Sequence, residues 1–207
     1  MILLTFNISI PENNTQIKNK YNDNELILSI EKNTEIILQL LEIHGFLATF
    51  FVEVSIANRL EKLLKTISLS GHEIALYNVN SDIETITKTK ENLEEILEKP
   101  IRGMRQKSHR LPYSDIKKME FIYVSNIEES TINFLWRKLT EKTEIYTENE
   151  LTIVPESQSP YSQLPFNDYV LPMTPMKYPV TSLSDSLKSE AYVPLHATLW
   201  QTYGHAI

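Results

Sequence analysis

The stretch Phe46 to Tyr77, FLATFFVEVSIANRLEKLLKTISLSGHEIALY, holds the pattern that decides the fold. FLATFFV (46–52) is short, aromatic and β-branched, which predicts a buried strand. Ile56, Leu60, Leu63, Leu64 and Ile67 recur at helical spacing, with Ser55 expected to cap that helix and Gly71 to stop it. His72 to Tyr77 then reads as the next strand. Strands joined by a crossover helix give the α/β class, in which the strands run parallel and the helices cover the sheet.

The same rhythm extends outward. Ile2-Leu3-Leu4-Thr5-Phe6 reads as a buried first strand, and Leu26, Ile27, Ile30, Ile37, Leu38 and Leu41 predict a helix over 24–44 ended by Gly45. Downstream, Ser81-x-x-Glu84 reads as a capping box opening a helix with Ile83, Ile86, Leu93, Ile96 and Leu97 inward and Pro100 beyond its end. Short strands are expected over 101–104 and 121–125, with a short helix over 114–119. EIYTENELTIV (144–154) departs from the alternation and predicts a late β-hairpin about a Glu148-Asn149 turn. Residues 155–179 hold six of the ten prolines, and Tyr161, Phe166, Tyr169 and Tyr178 there favour an ordered wall over a linker. A helix over 182–188 and a strand over 192–196 close the chain. One domain spanning 1–207 is expected.

Composition removes several chemistries. With Gly 4 in 207 residues there is neither GxGxxG nor GxxxxGK[ST], so the common nucleotide-binding loops are missing. Cys 0 excludes thiolate zinc sites, iron–sulfur clusters, disulfides and cysteine nucleophiles. A net charge of -7 argues against nucleic acid or an anionic membrane as partner. The start lacks the pattern of a secretory signal and no apolar run is long enough to span a bilayer, which gives a cytoplasmic location as the expectation. Gly45, Gly71 and Gly103 are expected at helix-to-strand turns, where positive φ is needed.

Ligands of parallel α/β folds bind at the carboxyl ends of the strands. Those positions here are Asn7, Glu53, Tyr77, Asn78, Arg105, Ser125, Asn126 and His196, mostly amides and hydroxyls. Asn7, Tyr77, Asn78, Asn80 and Ser81 match the hydroxyl and acetamido groups of a sugar, or else cap strand ends. Arg102, Arg105, Lys107, His109 and Arg110 form a cationic run suited to a phosphate or to a solvated face. His44 and His72 read as structural, while His109 and His205 are isolated. Trp136 and Trp200 suit ring stacking or plain packing.

The segments ILLTFNI, LATFFVEVSIANR, GHEIALYNVN, EILEKPIRGMRQ and LTIVPES...PYSQLPF, spread over nearly the whole chain, resemble the polysaccharide deacetylase family with the NodB homology domain, carbohydrate esterase family 4. The resemblance implies a distorted (β/α) barrel, a divalent metal such as zinc and an acetylated sugar or polysaccharide precursor as substrate. It implies that the first strand should end in an Asp acting as general base, followed by a carboxylate for the metal. Here the run is Thr5-Phe6-Asn7-Ile8-Ser9-Ile10, and the amide of Asn7 cannot take up a proton near neutral pH. The two metal-binding His expected after GHEIA fall at Tyr77 and Ser81. Arg105 matches the arginine that orients the Asp, and His196 resembles the late general acid.

The expectation is therefore a degenerate, catalytically silent domain with no metal cofactor, binding a carbohydrate, a protein partner or a second copy of itself. Two alternatives stand beside it. One is a metal-dependent N- or O-deacetylase with relocated ligands, for which Glu53, Asp82 and His196 are the candidates; the other is a structural or assembly subunit.

Overall fold

The computed structural model describes residues 2–10, 22–107, 111–126, 145–155 and 193–198. Strand β1 (Ile2–Ile8) leads to helix α1 (Asp23–His44), strand β2 (Thr49–Glu53), a 3₁₀ turn (Ala57–Arg59) and helix α2 (Glu61–Leu69). Strand β3 (Glu73–Asn78), helix α3 (Ile83–Leu97), strand β4 (Gly103–Gln106), helix α4 (Tyr113–Lys118) and strand β5 (Tyr123–Asn126) continue the alternation. The hairpin β6 (Tyr146–Glu148) and β7 (Leu151–Val154) follows, and β8 (Val193–Thr198) is the last described strand. The order across the sheet is β6-β7-β5-β4-β3-β2-β1-β8, parallel throughout except between β6 and β7.

Because side chains alternate along a strand, register sorts them into two chemically different faces. Phe50, Val52, Ile74, Leu76, Met104, Val124 and Ile153 share one face and join the helix stripes Ile27, Ile30 and Leu41, Leu63, Leu64 and Ile67, and Ile86, Leu93 and Leu97 in one apolar cluster. Each such large side chain contributes about 1.5–3 kcal/mol on burial, so the helix-facing layer is the main source of stability. The opposite face carries Thr5, Asn7, Phe51, Ala75, Tyr77, Arg105, Tyr123 and Ser125, linked row to row by register. Its apolar content reduces to Phe51, Ala75, Tyr77 and Val79 with Tyr123 against them. Polar groups on a sheet face that is nonetheless buried mark where a site can be built.

Helix ends follow local chemistry, with several shifts from the sequence reading. Asn22 and Glu25 form a reciprocal capping box at the start of α1, and Gly45 ends that helix at φ 65. Ser55 does not cap α2: a 3₁₀ turn intervenes, and the Ser55 hydroxyl donates to Glu53 instead. The cap of α3 is Asp82, which accepts from the Thr85 N–H, so the expected Ser81 box lies one residue too early and Ile83 is largely exposed. The hairpin turns at Asn149-Glu150, both at positive φ, rather than at Glu148-Asn149; two consecutive left-handed residues match the twist of a tight hairpin. Gly71 has positive φ as expected, but Gly103 does not. Gly103 lies inside β4, where a Cβ would overlap the ring and hydroxyl of Tyr123. Phe46 and Leu47, read as strand, precede β2 and are exposed. The helix expected over 182–188 lies outside the described residues.

Two outcomes are expected. Gly103→Ala forces the Tyr123 ring to move and lowers unfolding stability in urea by about 1–3 kcal/mol; an unchanged midpoint contradicts the packing. His72 is buried, its Nδ1 accepts from the Ala48 N–H at 3.4 Å, and burial holds its pKa below the ordinary value. The unfolded chain then binds more protons once the pH drops below about 6.5, so stability is complete above that pH and falls as the solution is acidified toward the lower folded-state value. Denaturation at pH 7.5 and 5.5 should show a smaller acid loss in His72→Gln than in the wild type, and parallel losses would rule the effect out.

Candidate functional site

At the carboxyl ends of the strands one row is built around Arg105, which is 2% exposed. Strand pairing sets Tyr77 beside Glu53 and Arg105, and Arg105 beside Ser125. The guanidinium reaches across the sheet face. One terminal nitrogen donates to Asn7 Oδ1 at 2.6 Å, the other to Thr5 Oγ1 at 3.0 Å, and Nε to Ser125 Oγ at 3.1 Å. Its carbon lies 3.8 Å from the centre of the Phe51 ring, a cation–π contact on the face the donors do not use. A guanidinium has only donors, so it fixes the Asn7 amide with the oxygen toward Arg105. Three oxygens and a ring thus replace much of the water that burial removes from the charge.

This geometry decides what Asn7 can do. Its oxygen already accepts a short charge-assisted hydrogen bond, and its nitrogen is a donor that cannot serve as a base. Tyr77 is buried and packs with Phe51, Ala75 and Val79. The structure therefore brings Asn7, Tyr77 and Arg105 to one row. Asn78 is buried too, but alternation places it on the helix-facing side, and its Oδ1 accepts from the Ser81 N–H at 2.8 Å. Asn80 is exposed and Ser81 half-buried in the loop beyond β3. His196 pairs with Thr5 in the β1–β8 register, two residues before the Asn7–Thr198 pair.

The remaining acidic candidates hold structure. Glu53 is buried, accepting from the Ile10 N–H at 3.0 Å and from the Ser55 hydroxyl, so it fastens the segment after β1. Asp82 is exposed as the α3 cap, and its backbone hydrogen bond to Thr85 lowers its pKa. Below the Arg105 row, the Thr49 hydroxyl donates to Glu73 at 2.8 Å, while Tyr123 lies edge-on to Phe51. Burial, reinforced by the Glu73 charge, pushes the Tyr123 phenol far above its usual pKa and keeps it neutral. Of the cationic run, Arg102 is exposed and Lys107 half-buried. His109, Arg110, Trp136, Trp200, His205 and the aromatics of 155–179 lie outside the described residues.

The donor set does not fit a divalent metal. Among the described residues no three His, Cys, Asp or Glu side chains stand together where an ion could be held. A cation at Asn7 would share its oxygen with a guanidinium, placing like charges side by side in a buried setting. Ser125 is among the strand-end positions legible in the sequence, whereas Thr5 and Phe51 are not. Strand alternation is the signal that finds them: Thr5 lies two before Asn7 and Phe51 two before Glu53.

Removing the amide takes one of the three hydrogen-bond acceptors named above from the buried charge. Asn7→Leu is expected to cost about 1.5–3 kcal/mol, whereas Asn7→Asp keeps an acceptor at that position and keeps the fold. Chemical denaturation of both variants checks this; a leucine variant as stable as the wild type would contradict it.

No family model and no curated protein matches the chain. Solved structures do. A candidate polysaccharide deacetylase from Mycobacterium smegmatis superposes with TM-score 0.68 at 16% identity, over 96% of this chain and 76% of that one. The allantoinase PuuE gives TM-score 0.61 at 13% identity, over 95% of this chain and 75% of its own. A CE4-family pseudoenzyme from Bacillus anthracis gives TM-score 0.50 at 14% identity, over 98% of this chain but only 57% of that one. The α/β sheet described above is thus the (β/α) barrel fold of NodB-type deacetylases and allantoinase.

Proposed function

We propose that this chain is a degenerate polysaccharide deacetylase-type domain that binds an acetylated carbohydrate without hydrolysing it. The Arg105–Asn7 hydrogen bond carries the reading: where a deacetylase of this fold needs a base and a metal ligand, this chain has an amide committed to a buried guanidinium. The CE4 pseudoenzyme among the structural neighbours supports the idea that the fold can persist without the chemistry. Amide and hydroxyl groups at the strand ends suit recognition of sugar hydroxyls and acetamido groups. The relocated-ligand alternative is weakened by Glu53 and Asp82, both of which already hold backbone N–H groups.

The test pairs two measurements on the full chain. Acetate release from N-acetylglucosamine oligomers in the presence of zinc should stay at the level of a blank, while an acetylated oligosaccharide at ~100 times its dissociation constant should add about 2.7 kcal/mol of stability in a thermal shift. Turnover would overturn the silent-domain reading. A flat panel of acetylated sugars would overturn carbohydrate binding.

A further inference from the structure

We infer that a second copy of this chain docks on the pole of the fold opposite the strand carboxyl ends, across the carboxyl-terminal half of α1. Six large apolar side chains collect there in the open: Ile36, Leu40 and Ile43 on α1, Phe46 and Leu47 in the turn before β2, and Leu69 at the end of α2. Ile43 is 75% exposed, Leu47 69% and Leu69 86%. Phe46 is tied back to the end of α1, its N–H donating to Leu41 O at 2.9 Å. Ile36, Leu40 and Ile43 follow the i, i+4, i+7 spacing of one helix stripe. Leu47 reaches to 3.8 Å of the Cβ position at Gly71, two residues past Leu69, and the Glu73 N–H donates to Ala48 O.

This stripe is separate from the face that packs the core. Residues Ile27, Ile30, Leu38 and Leu41 of α1 already bury the inward side, so Ile36, Leu40 and Ile43 form a second apolar flank on the same helix. Phe46 and Leu47 sharpen the case: their sequence context predicts burial within a strand, yet the fold leaves them outside it. An apolar run that finds no cover among the described residues points to cover from another molecule.

Size selects the occupant. With ~150–200 Å² for a fully exposed large apolar side chain, the six expose roughly 600 Å², the upper end of what monomers carry. A standard interface takes about 800 Å² from each partner, and homodimer interfaces are about 65% apolar. The patch plus a polar rim therefore matches one half of a two-fold interface. Glu35 and Glu42 are exposed on the same helix of a chain with net charge -7, which disfavours an anionic membrane surface. Two-fold pairing sets α1 against α1 and is self-complementary. It leaves the Arg105 row of each copy facing outward, so this inference stands or falls independently of the carbohydrate reading.

Sedimentation and light scattering of the full chain test it. The wild type should be a dimer at ~100 μM, and Ile43→Glu combined with Leu47→Glu should weaken self-association at least ~100-fold while leaving the circular dichroism spectrum unchanged. Leu69→Lys, on a different helix, should weaken it by roughly tenfold and guards against a folding defect in the double variant. A wild type that stays monomeric, or variants that dimerise as well as the wild type, would overturn the inference.

Discussion

A guanidinium buried to 2% exposure has to be satisfied by the protein itself, and much of the inner sheet face is arranged to do it. Arg105 draws on Thr5 and Asn7 of β1, Phe51 of β2 and Ser125 of β5. Those contacts join strands distant in sequence, with Arg105 and Asn7 separated by 98 positions. The contacts to Thr5, Asn7 and Ser125 are hydrogen bonds to a charge, each worth about 1.5–3 kcal/mol, and Phe51 adds a cation–π contact. The row at the strand ends is consequently held in register by polar contacts, while the helix-facing layer is held by apolar packing.

That division separates what the fold requires from what the strand ends carry. The helix-facing side requires only apolar residues of the right size at alternate positions, and Phe50, Val52, Ile74, Leu76, Met104 and Val124 meet that requirement. The inner face requires particular functional groups. The acceptors around Arg105 are an amide and two hydroxyls, which suit an arginine and suit a divalent ion poorly. Glu53, the one deeply buried carboxylate at a strand end among the described residues, accepts from the Ile10 N–H and the Ser55 hydroxyl. The consequence is a barrel-type scaffold whose buried charge at the strand ends is a guanidinium held by the protein's own acceptors.

Much of the architecture was legible in residues 46–77, because period-two and period-3.6 patterns report burial directly. The helix over 23–44 and its Gly45 stop follow the same logic. Local boundaries were harder: Ser55 and Ser81 have good capping chemistry, but the Ser55 hydroxyl donates to Glu53 and α2 starts without a side-chain cap, while the Ser81 N–H donates to Asn78 and Asp82 caps α3. Gly103 looked like a turn residue and proved to be a gap for Tyr123, a contact between strands that no single segment encodes. At the site, Asn7 and Arg105 were identifiable as positions, whereas their direct hydrogen bond depends on a reach across three intervening strand pairings. The exposure of Phe46 and Leu47 ran against their sequence pattern, and that conflict is what points to a second copy.

A divalent cation at the Asn7–Arg105 row would stand beside a buried guanidinium already holding the Asn7 oxygen. Equilibrium dialysis of the full chain against zinc, followed by elemental analysis, measures this directly. Far less than one ion per chain, the same in wild type and Asn7→Ala, is the predicted result. One tightly held ion per chain, lost in Asn7→Ala, would contradict it.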